Sequence, residues 1–367
     1  MIMLFIHRQS MPILSSTQNI EHLERHMKAI GYLQSLPITD AESLIDIELP
    51  QPMAMGRDLL IKVKAVAVNP VDYKIRQNVA PTNGEHKVIG WDAVGEVVAT
   101  GDSASLFKAG DTVYYAGALG RSGSNAEYQL VDERIVGHKP KSVSDAEAAA
   151  LPLTTITAYE LLFDHLNLEQ QSPDAQDPSN DILLVVGAAG GVGSILVQLA
   201  KKLTGATIIA TASRESSQAW VTKLGADHVV DHTKPLQAQI DALGLGQITH
   251  VASLNSSENY FETYIELLAP FGKIALIDDP KTLPINKIKP KSLSLHWEFM
   301  FARSMFEAKD MAKQGELLNH VADLVDLGHI QTTAGQYLGN INAENLRRAH
   351  AELESGRSIG KIVMEGF

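Results

Sequence analysis

The sequence predicts an α/β protein of two units, a barrel-like β domain and a doubly wound parallel sheet. Three observations lead there. Short β runs punctuated by Gly and Asp fill the stretch from Met27 to about Leu151, as in a small antiparallel barrel. From Asp181 onward strand-like and helix-like segments alternate, the rhythm of a parallel sheet covered by helices. Where the second rhythm starts, the apolar run "ILLVV" passes through "GAAGGVG" straight into the helical text "SILVQLAKK". A chain of 367 residues accommodates two domains at about 150 residues each.

The chain opens with a short apolar patch, Met1 to Ile6, with no basic residue ahead of it. A secretory signal has the opposite order and a longer apolar region, so residues 1–26 are expected to form a loose, disordered extension. "DLLIKVKAVAVNPVD", "GWDAVGEVVATGD", "DTVYYAG" and "AEYQLVDE" are the β runs of the first unit. "SDAEAAALPLTTITAYELLFDHL" reads as helix, and "NLEQQSPDAQDPSND" as a polar solvent loop. "DILLVVG" is unbroken apolar text, as a strand buried on both faces requires. "TIIATAS", "HVVD", "ITHVASL" and "GKIALID" continue the series, and "LSLHWEF" adds a last strand before helical text resumes near Arg303. "GRSIGKIVME" is expected to close the chain as a hairpin-like strand returning to the first unit.

Composition excludes several functions. The chain has no cysteine, which removes disulfides, thiolate nucleophiles and sulfur-based zinc sites together and suits a reducing, cytoplasmic setting. A formal charge of −12 argues against a nucleic-acid binder, which needs a basic face to displace counterions. No stretch approaches the roughly 18 uninterrupted apolar residues of a membrane-spanning helix.

Ala188, Ala189, Gly190, Gly191, Val192 and Gly193 stand at the strand-to-helix turn. Glycines there permit a tight turn, let the backbone approach a pyrophosphate and allow close helix–strand packing. The helix N-terminus then offers free N–H groups and a positive dipole end to phosphates. The first glycine of the usual dinucleotide fingerprint is replaced by Ala188. At the end of the second strand, where a carboxylate would greet a free ribose hydroxyl, the text is "ATASRES", with Ser213 and Arg214 in place of the acid. A hydroxyl and a guanidinium suit a 2′-phosphate, so NADPH is expected over NADH, with Glu215 as the residue that argues the other way.

"AVNPVDYKIR", "IGWDAVGEVVATG", "AGDTVYY", "LPLTTITAYELL", "GAAGGVGSILVQLAK", "KLGADHVVD" and "GRSIGKIV" resemble, in order and spacing, the medium-chain dehydrogenase/reductase superfamily. They are most similar to its quinone-oxidoreductase-like branch, often labelled zinc-type alcohol dehydrogenase-like. The resemblance implies a GroES-like β-barrel catalytic domain, residues 27–153 and 300–367, interrupted by a Rossmann NADPH-binding domain, residues 154–299. It implies a homodimer as well. In zinc-using members a cysteine ligand stands at the position of Asn69 and a histidine at that of Trp91, beside Asp92. Neither residue here is a zinc ligand, so no metal is expected; His86, His296 and Glu298 are isolated candidates.

Without a metal, the expected reaction is hydride transfer to a quinone or an α,β-unsaturated carbonyl, whose acceptor delocalises the incoming charge. The resemblance carries the catalytic loop over to Asn69, Asp72, Tyr73 and Lys74, with the proton donor open between Tyr73 and Lys74. Lys74 also reads as a surface lysine paired with Asp72 or Glu96. Thr155 and Thr157 resemble a threonine region beside the cofactor. Leu254, Asn255, Ile277 and Asp278 follow the fourth and fifth strands, where sheet ends meet a dinucleotide. Lys361 either reaches the cofactor from the returning segment or is an ordinary strand lysine. Trp297, Phe299 and Phe301 form an aromatic wall for a flat substrate or a packing edge. Two rival readings stay open: a zinc alcohol dehydrogenase, and a crystallin-like protein that binds NADPH without turnover.

Overall fold

The computed structural model describes residues 25–81 and 84–367. Most of the expected N-terminal extension, residues 1–24, lies outside them; His26 already belongs to the first strand.

Three sheets carry the fold. β1 (His26–Tyr32) pairs antiparallel with β2 (Ile45–Pro50). The next strand, β3 (Asp58–Val68), is the spine of the first unit. It hands the chain to α1 (Pro70–Asn78), which starts on a proline whose fixed φ and missing N–H suit a first helical turn. β4 (Lys87–Val88) returns to β1, and β5 (Ala93–Thr100), β6 (Thr112–Tyr115), β7 (Tyr128–Asp132) and β8 (Val136–His138) complete the β text predicted before Leu151. β3 pairs with both β5 and β7.

The stretch expected as one helix is divided. α2 (Asp145–Ala149) is capped by Ser144, whose Oγ accepts the Glu147 N–H. α3 (Pro152–Tyr159) follows and passes into a π-helical turn, Glu160–His165. α3 is buried from Pro152 to Ala158, as an apolar helix between two units must be. One continuous core runs from Ile61 and Val94 through Ile156 to Leu196 and Leu199, so α3 joins the two units into one packed interior.

The second unit alternates as read. β9 (Ile182–Val186) is buried at all five positions. α4 (Gly191–Leu203), β10 (Thr207–Thr211), α5 (Glu215–Lys223), β11 (His228–Val230), α6 (Leu236–Ala242), β12 (Ile248–Ser253), α7 (Ser257–Leu267), β13 (Leu268–Leu276) and β14 (Ser294–Trp297) follow. The six strands are parallel and ordered β11-β10-β9-β12-β13-β14. Relabelled from the first strand of this unit, the order is 3-2-1-4-5-6, which reverses between β9 and β12. Ligands bind at the carboxyl ends of the strands beside such a reversal.

α8 (Ala302–Met305) and α9 (Lys313–Asp326) lead back to the first unit. There β15 (Ala334–Tyr337), α10 (Ala343–Glu354) and β16 (Lys361–Glu365) extend its sheet to the order β15-β16-β3-β5-β6-β8. The expected hairpin-like ending is corrected. β16 runs parallel to β15, because α10 is a crossover between them, and it is antiparallel to β3. That pairing sets Ile362 opposite Val68 and brings Lys361 beside the end of the spine strand.

Candidate active site

The first half of the site grows from the turn between β3 and α1. Asn69 ends the strand, Pro70 opens the helix, and Asp72 at the third helical position accepts the Asn69 backbone N–H at 2.6 Å. This local bond folds the carboxyl of Asp72 back under the turn, where it is fully buried. The Asn69 amide donates to Asp92 Oδ2 at 2.8 Å and to the Trp91 carbonyl at 3.2 Å. Asp92 Oδ1 accepts the Leu153 N–H at 2.7 Å, at the start of α3. Lys361 arrives from β16 and is 3% exposed. Its Nζ stands 2.9 Å from Asp92 Oδ2, donates to the Val68 carbonyl at 2.8 Å, and donates to Asn69 Oδ1.

Two carboxyls therefore share one buried ammonium. Burial pushes Asp72 up to about 7, against the pull of the Asn69 N–H and the Lys361 charge. Burial also raises Asp92, opposed by Lys361 and then by the Asn69 amide. Every hydrogen-bond partner of the Asp92 carboxyl is a donor, which suits its ionised form. Among the described residues Asp72 Oδ1 has no partner, and it is the natural seat of a proton. The centre is then neutral below about pH 7: one ammonium, one carboxylate and one protonated carboxyl.

Tyr73 and Lys74 occupy the same helix as half-buried residues. Lys74 pairs with neither Asp72 nor Glu96. Its Nζ meets Asp279 Oδ2 at 2.7 Å, while Glu96 pairs with Lys64. Since Asp279 lies beyond β13, this bond links the two units at the surface. Trp91 is buried, and its ring meets the edge of Phe301 at 6.2 Å. Of the aromatic segment, Phe301 is packed inside, and Trp297 and Phe299 are half exposed.

The second half is the glycine turn. Gly187 leaves β9 with φ of 83°, a left-handed conformation that glycine adopts without strain. Its N–H donates to Thr211 Oγ1 at 3.1 Å, and a Cβ on it would meet the Asn255 amide at 3.0 Å. Reading the fingerprint from Ala188 onward overlooks this residue, although the glycine at the strand's exit is visible in the text. A Cβ on Gly193 would lie 2.5 Å from Ala188 Cα, so Gly193 exists for close packing. Gly190 is different. Its φ is −74°, and its Cβ would meet only the Gly187 carbonyl, at 3.4 Å. Neither torsion nor packing inside the protein calls for glycine there; a close approach from outside does. Ala189, Gly191 and Val192 complete the half-exposed rim over the N-terminus of α4, a 13-residue helix whose first turn carries no acid. A pyrophosphate fits this cradle.

These differences predict separable effects. Gly193→Ala is expected to lower stability by about 1–3 kcal/mol through backbone overpacking. Gly190→Ala is expected to leave stability within about 0.5 kcal/mol. It should nevertheless weaken dinucleotide binding about tenfold or more, since one lost phosphate contact is worth about 1.5–3 kcal/mol. Urea midpoints and titration calorimetry read the two quantities.

Other expected residues fall on the same rim. Ser213 is half buried at the end of β10, and Arg214 is exposed at the start of α5. Leu254 donates its N–H to Val186, and Asn255 lies exposed beside Gly187. The Ile277 N–H reaches Ser253. Asp278 is half buried, and its carboxylate accepts the Ser257 N–H and hydroxyl, holding the start of α7. Thr155 is buried on α3, and among the described residues its Oγ1 has no partner. Thr157 donates to the Leu153 carbonyl. The Lys361 ammonium is committed to Asp92 and Asn69 rather than to the turn, but its stem lies where a Cβ on Gly191 would go, 2.9 Å away.

A second buried charge cluster lies under the aromatic segment. Glu160 on the π-helical turn meets Arg303 at 2.6 Å, and Glu298 meets His165 at 2.9 Å. Burial, with each carboxyl near the other, pushes Glu160 up to about 8, and burial likewise pushes Glu298 up to about 8. Glu160 was not distinguishable in sequence from an exposed helical acid.

Zinc ligation does not fit these residues. Trp91 has no lone pair to offer, the Asn69 amide is spent on Asp92 and Lys361, and an ammonium stands against the carboxylate. His86 lies beside Gly31 of β1. Among the described residues no group of three or more His, Cys, Asp or Glu side chains could hold a metal ion.

Residues 56–141 match the alcohol dehydrogenase GroES-like domain, and residues 191–313 match the zinc-binding dehydrogenase family. A zinc-type alcohol dehydrogenase-like protein of Staphylococcus aureus is 38% identical over 342 residues, covering 92% of this chain and 99% of that protein. A 2-methylene-furan-3-one reductase of Solanum lycopersicum is 29% identical over 377 residues, covering 98% and 84%. The crystal structure of a Rhizobium etli protein described as a candidate zinc-dependent alcohol dehydrogenase superposes with a TM-score of 0.88 at 52% identity, covering 94% of this chain and 99% of that one.

Proposed function

The chain belongs to the medium-chain dehydrogenase/reductase superfamily of oxidoreductases, and from that premise we propose that it is an NADPH-dependent, zinc-independent reductase of quinones or α,β-unsaturated carbonyls. The observation that carries this reading is the side-chain-free cradle at Gly190, set on the reversal point of the sheet. A bound reduced nicotinamide supplies the hydride. The rest is the work of this chain's residues.

Ala189, Gly190 and Gly191 with the start of α4 bind the pyrophosphate, flanked by Thr155, Leu254, Asn255 and Ile277, while Ser213 and Arg214 take the 2′-phosphate. Trp91 and Phe301, packed edge to face, close the site from behind and exclude water. Reduction needs one hydride on carbon and one proton on oxygen or on the adjacent carbon. Tyr73 and Lys74, at the mouth of α1, supply that proton, with Asn69 and Asp72 setting the turn that presents them. Lys74 is already held by Asp279, so Tyr73→Phe and Lys74→Met separate the two donors. An acceptor that delocalises charge suits this centre, which has a lysine where a Lewis acid would polarise an alcohol. The reductase named among the relatives supports an enone as acceptor.

The test is NADPH oxidation followed by absorbance over a panel of quinones and enones, with zinc content measured after chelation. Turnover without zinc supports the reading, and no turnover on the whole panel rejects it. For the cofactor, Arg214→Glu is expected to weaken NADPH about tenfold or more while leaving NADH within about threefold, since charge-assisted hydrogen bonds are worth about 1.5–3 kcal/mol.

We also propose that the enzyme is a homodimer joined along β14. This strand is one of the two edges of the six-stranded sheet, and Trp297 at its end is 53% exposed. Sedimentation gives the mass directly. Among the described residues no helix is long and apolar enough to cross a membrane.

A further inference from the structure

Lys361 is the residue at which the two halves of the site touch. Its ammonium has three oxygen partners, Asp92 Oδ2, Asn69 Oδ1 and the Val68 carbonyl. Its stem is packed where a Cβ on Gly191 would stand, at 2.9 Å from Cδ, with Thr154 Cγ2 at 3.2 Å on the same spot. The residue before it is bound to the turn directly, with the Gly360 N–H donating to the Ala189 carbonyl at 2.9 Å. One dipeptide thus holds the dinucleotide turn with its backbone and the Asn69–Asp92 pair with its side chain.

An ammonium with three oxygen neighbours does here what a small cation does elsewhere. It neutralises Asp92, fixes the Asn69 amide in one orientation, and sets the start of α1 that carries Tyr73 and Lys74. The Asn69 side chain has no second arrangement that keeps both bonds, since its amide nitrogen is on Asp92 and its oxygen is on Lys361. The stem of Lys361 is therefore the packing contact between the turn at Gly191 and these two residues.

We propose that Lys361 is a positioning residue, the built-in cation of the Asn69–Asp92 centre, whose stem beneath Gly191 couples the order of that centre to occupancy of the dinucleotide turn. This rests on the reductase reading for the identity of the dinucleotide, but it makes separate demands. Linkage is reciprocal: if dinucleotide binding orders the centre, then disturbing the centre weakens dinucleotide binding.

The experiment measures NADPH affinity by titration calorimetry for the wild type, Lys361→Met, Lys361→Arg and Asn69→Ala, with circular dichroism to confirm folding. Lys361→Met is expected to bind about tenfold more weakly, and Asn69→Ala about fivefold more weakly although it does not line the turn, both within the usual span of coupling between linked sites. Lys361→Arg keeps the charge but replaces the compact ammonium by a larger planar head, and should recover part of the affinity that Lys361→Met loses. In turnover, Lys361→Met should lower kcat more than it changes KM for the acceptor, as a positioning loss does. Zinc added in excess should be removed by dialysis from wild type and should rescue no variant.

Wild-type affinity in Asn69→Ala, retained or rescuing zinc, or a wild type that binds no NADPH each overturns the proposal. Should Lys361→Met fail to fold, Asn69→Ala decides alone. If NADPH binds and the variants weaken it while no acceptor is reduced, the reductase reading fails and the coupling stands. If acceptors are reduced while NADPH affinity ignores the variants, the coupling fails and the reductase reading stands.

Discussion

Replacing Asp92 by alanine is expected to lower the stability of the folded chain by about 3–5 kcal/mol at neutral pH, the usual effect of removing one partner of a buried ion pair. The loss exceeds that of a single hydrogen bond because three donors lose their acceptor together. The Lys361 ammonium stays in place at 3% exposure with only the Val68 carbonyl and the Asn69 amide oxygen beside it. The Asn69 amide and the Leu153 N–H lose their bonds at 2.8 and 2.7 Å. An exposed pair supplies the contrast. Lys64 and Glu96 meet at 3.3 Å with both side chains more than a third exposed, so Glu96→Ala should change stability by less than about 1 kcal/mol. Guanidinium midpoints for the two variants test the difference directly. A loss for Asp92→Ala no larger than that for Glu96→Ala would mean that the Lys361 pair is not buried as described.

What could be read in the sequence divides along a physical line. The glycine turn was legible because a backbone requirement leaves a local mark: Gly190, Gly191 and Gly193 lie within four residues; a Cβ on Gly193 would run into Ala188, and one on Gly190 would stand in the open cradle. Gly187 leaves the same mark one residue earlier, outside the fingerprint that begins at Ala188. The alternation of β9 to β14 was legible for a similar reason, since burial on both faces produces unbroken apolar runs. Partners brought together by the sheets were not. Lys361 and Asp92 are 269 residues apart, and Lys74 and Asp279 are 205 apart. No periodicity connects either pair: the pairing of β16 with β3 brings Lys361 to Asp92, with β16 arriving through the crossover at α10 rather than the hairpin the text suggested, and the packing of the two units brings Lys74 to Asp279. The π-helical turn at Glu160 was equally invisible, because its carboxyl stands in a segment whose composition is that of any amphipathic helix. The family resemblance supplied the candidates around Asn69, and folding supplied the charge that organises them.

The second large effect is a pH dependence with a definite sign. Asp72 has an ordinary value of 3.8 and is raised to about 7 in the folded chain, chiefly because burial penalises its ionised form. Between these values the folded state holds a proton that the unfolded state has released. Stability from this group is therefore fully present below about pH 4, falls as pH rises toward 7, and levels off above it. At about 1.4 kcal/mol per pH unit the loss across the window is about 4 kcal/mol. Asp72→Asn removes the titration while keeping an oxygen to accept the Asn69 N–H, so the variant should match wild type near pH 4 and exceed it by about 3–4 kcal/mol at pH 8. Glu160 and Glu298, each raised to about 8, add their own decline to both proteins and cancel in the comparison. Urea midpoints at four or five pH values give the difference curve. A flat curve would place the proton elsewhere, because a buried carboxyl with one unpartnered oxygen has no other means of avoiding an uncompensated charge. The variant also reports on chemistry: if the Asp72 proton holds the start of α1 in the order that presents Tyr73 and Lys74, Asp72→Asn keeps kcat constant through the range in which the wild type loses it above pH 7.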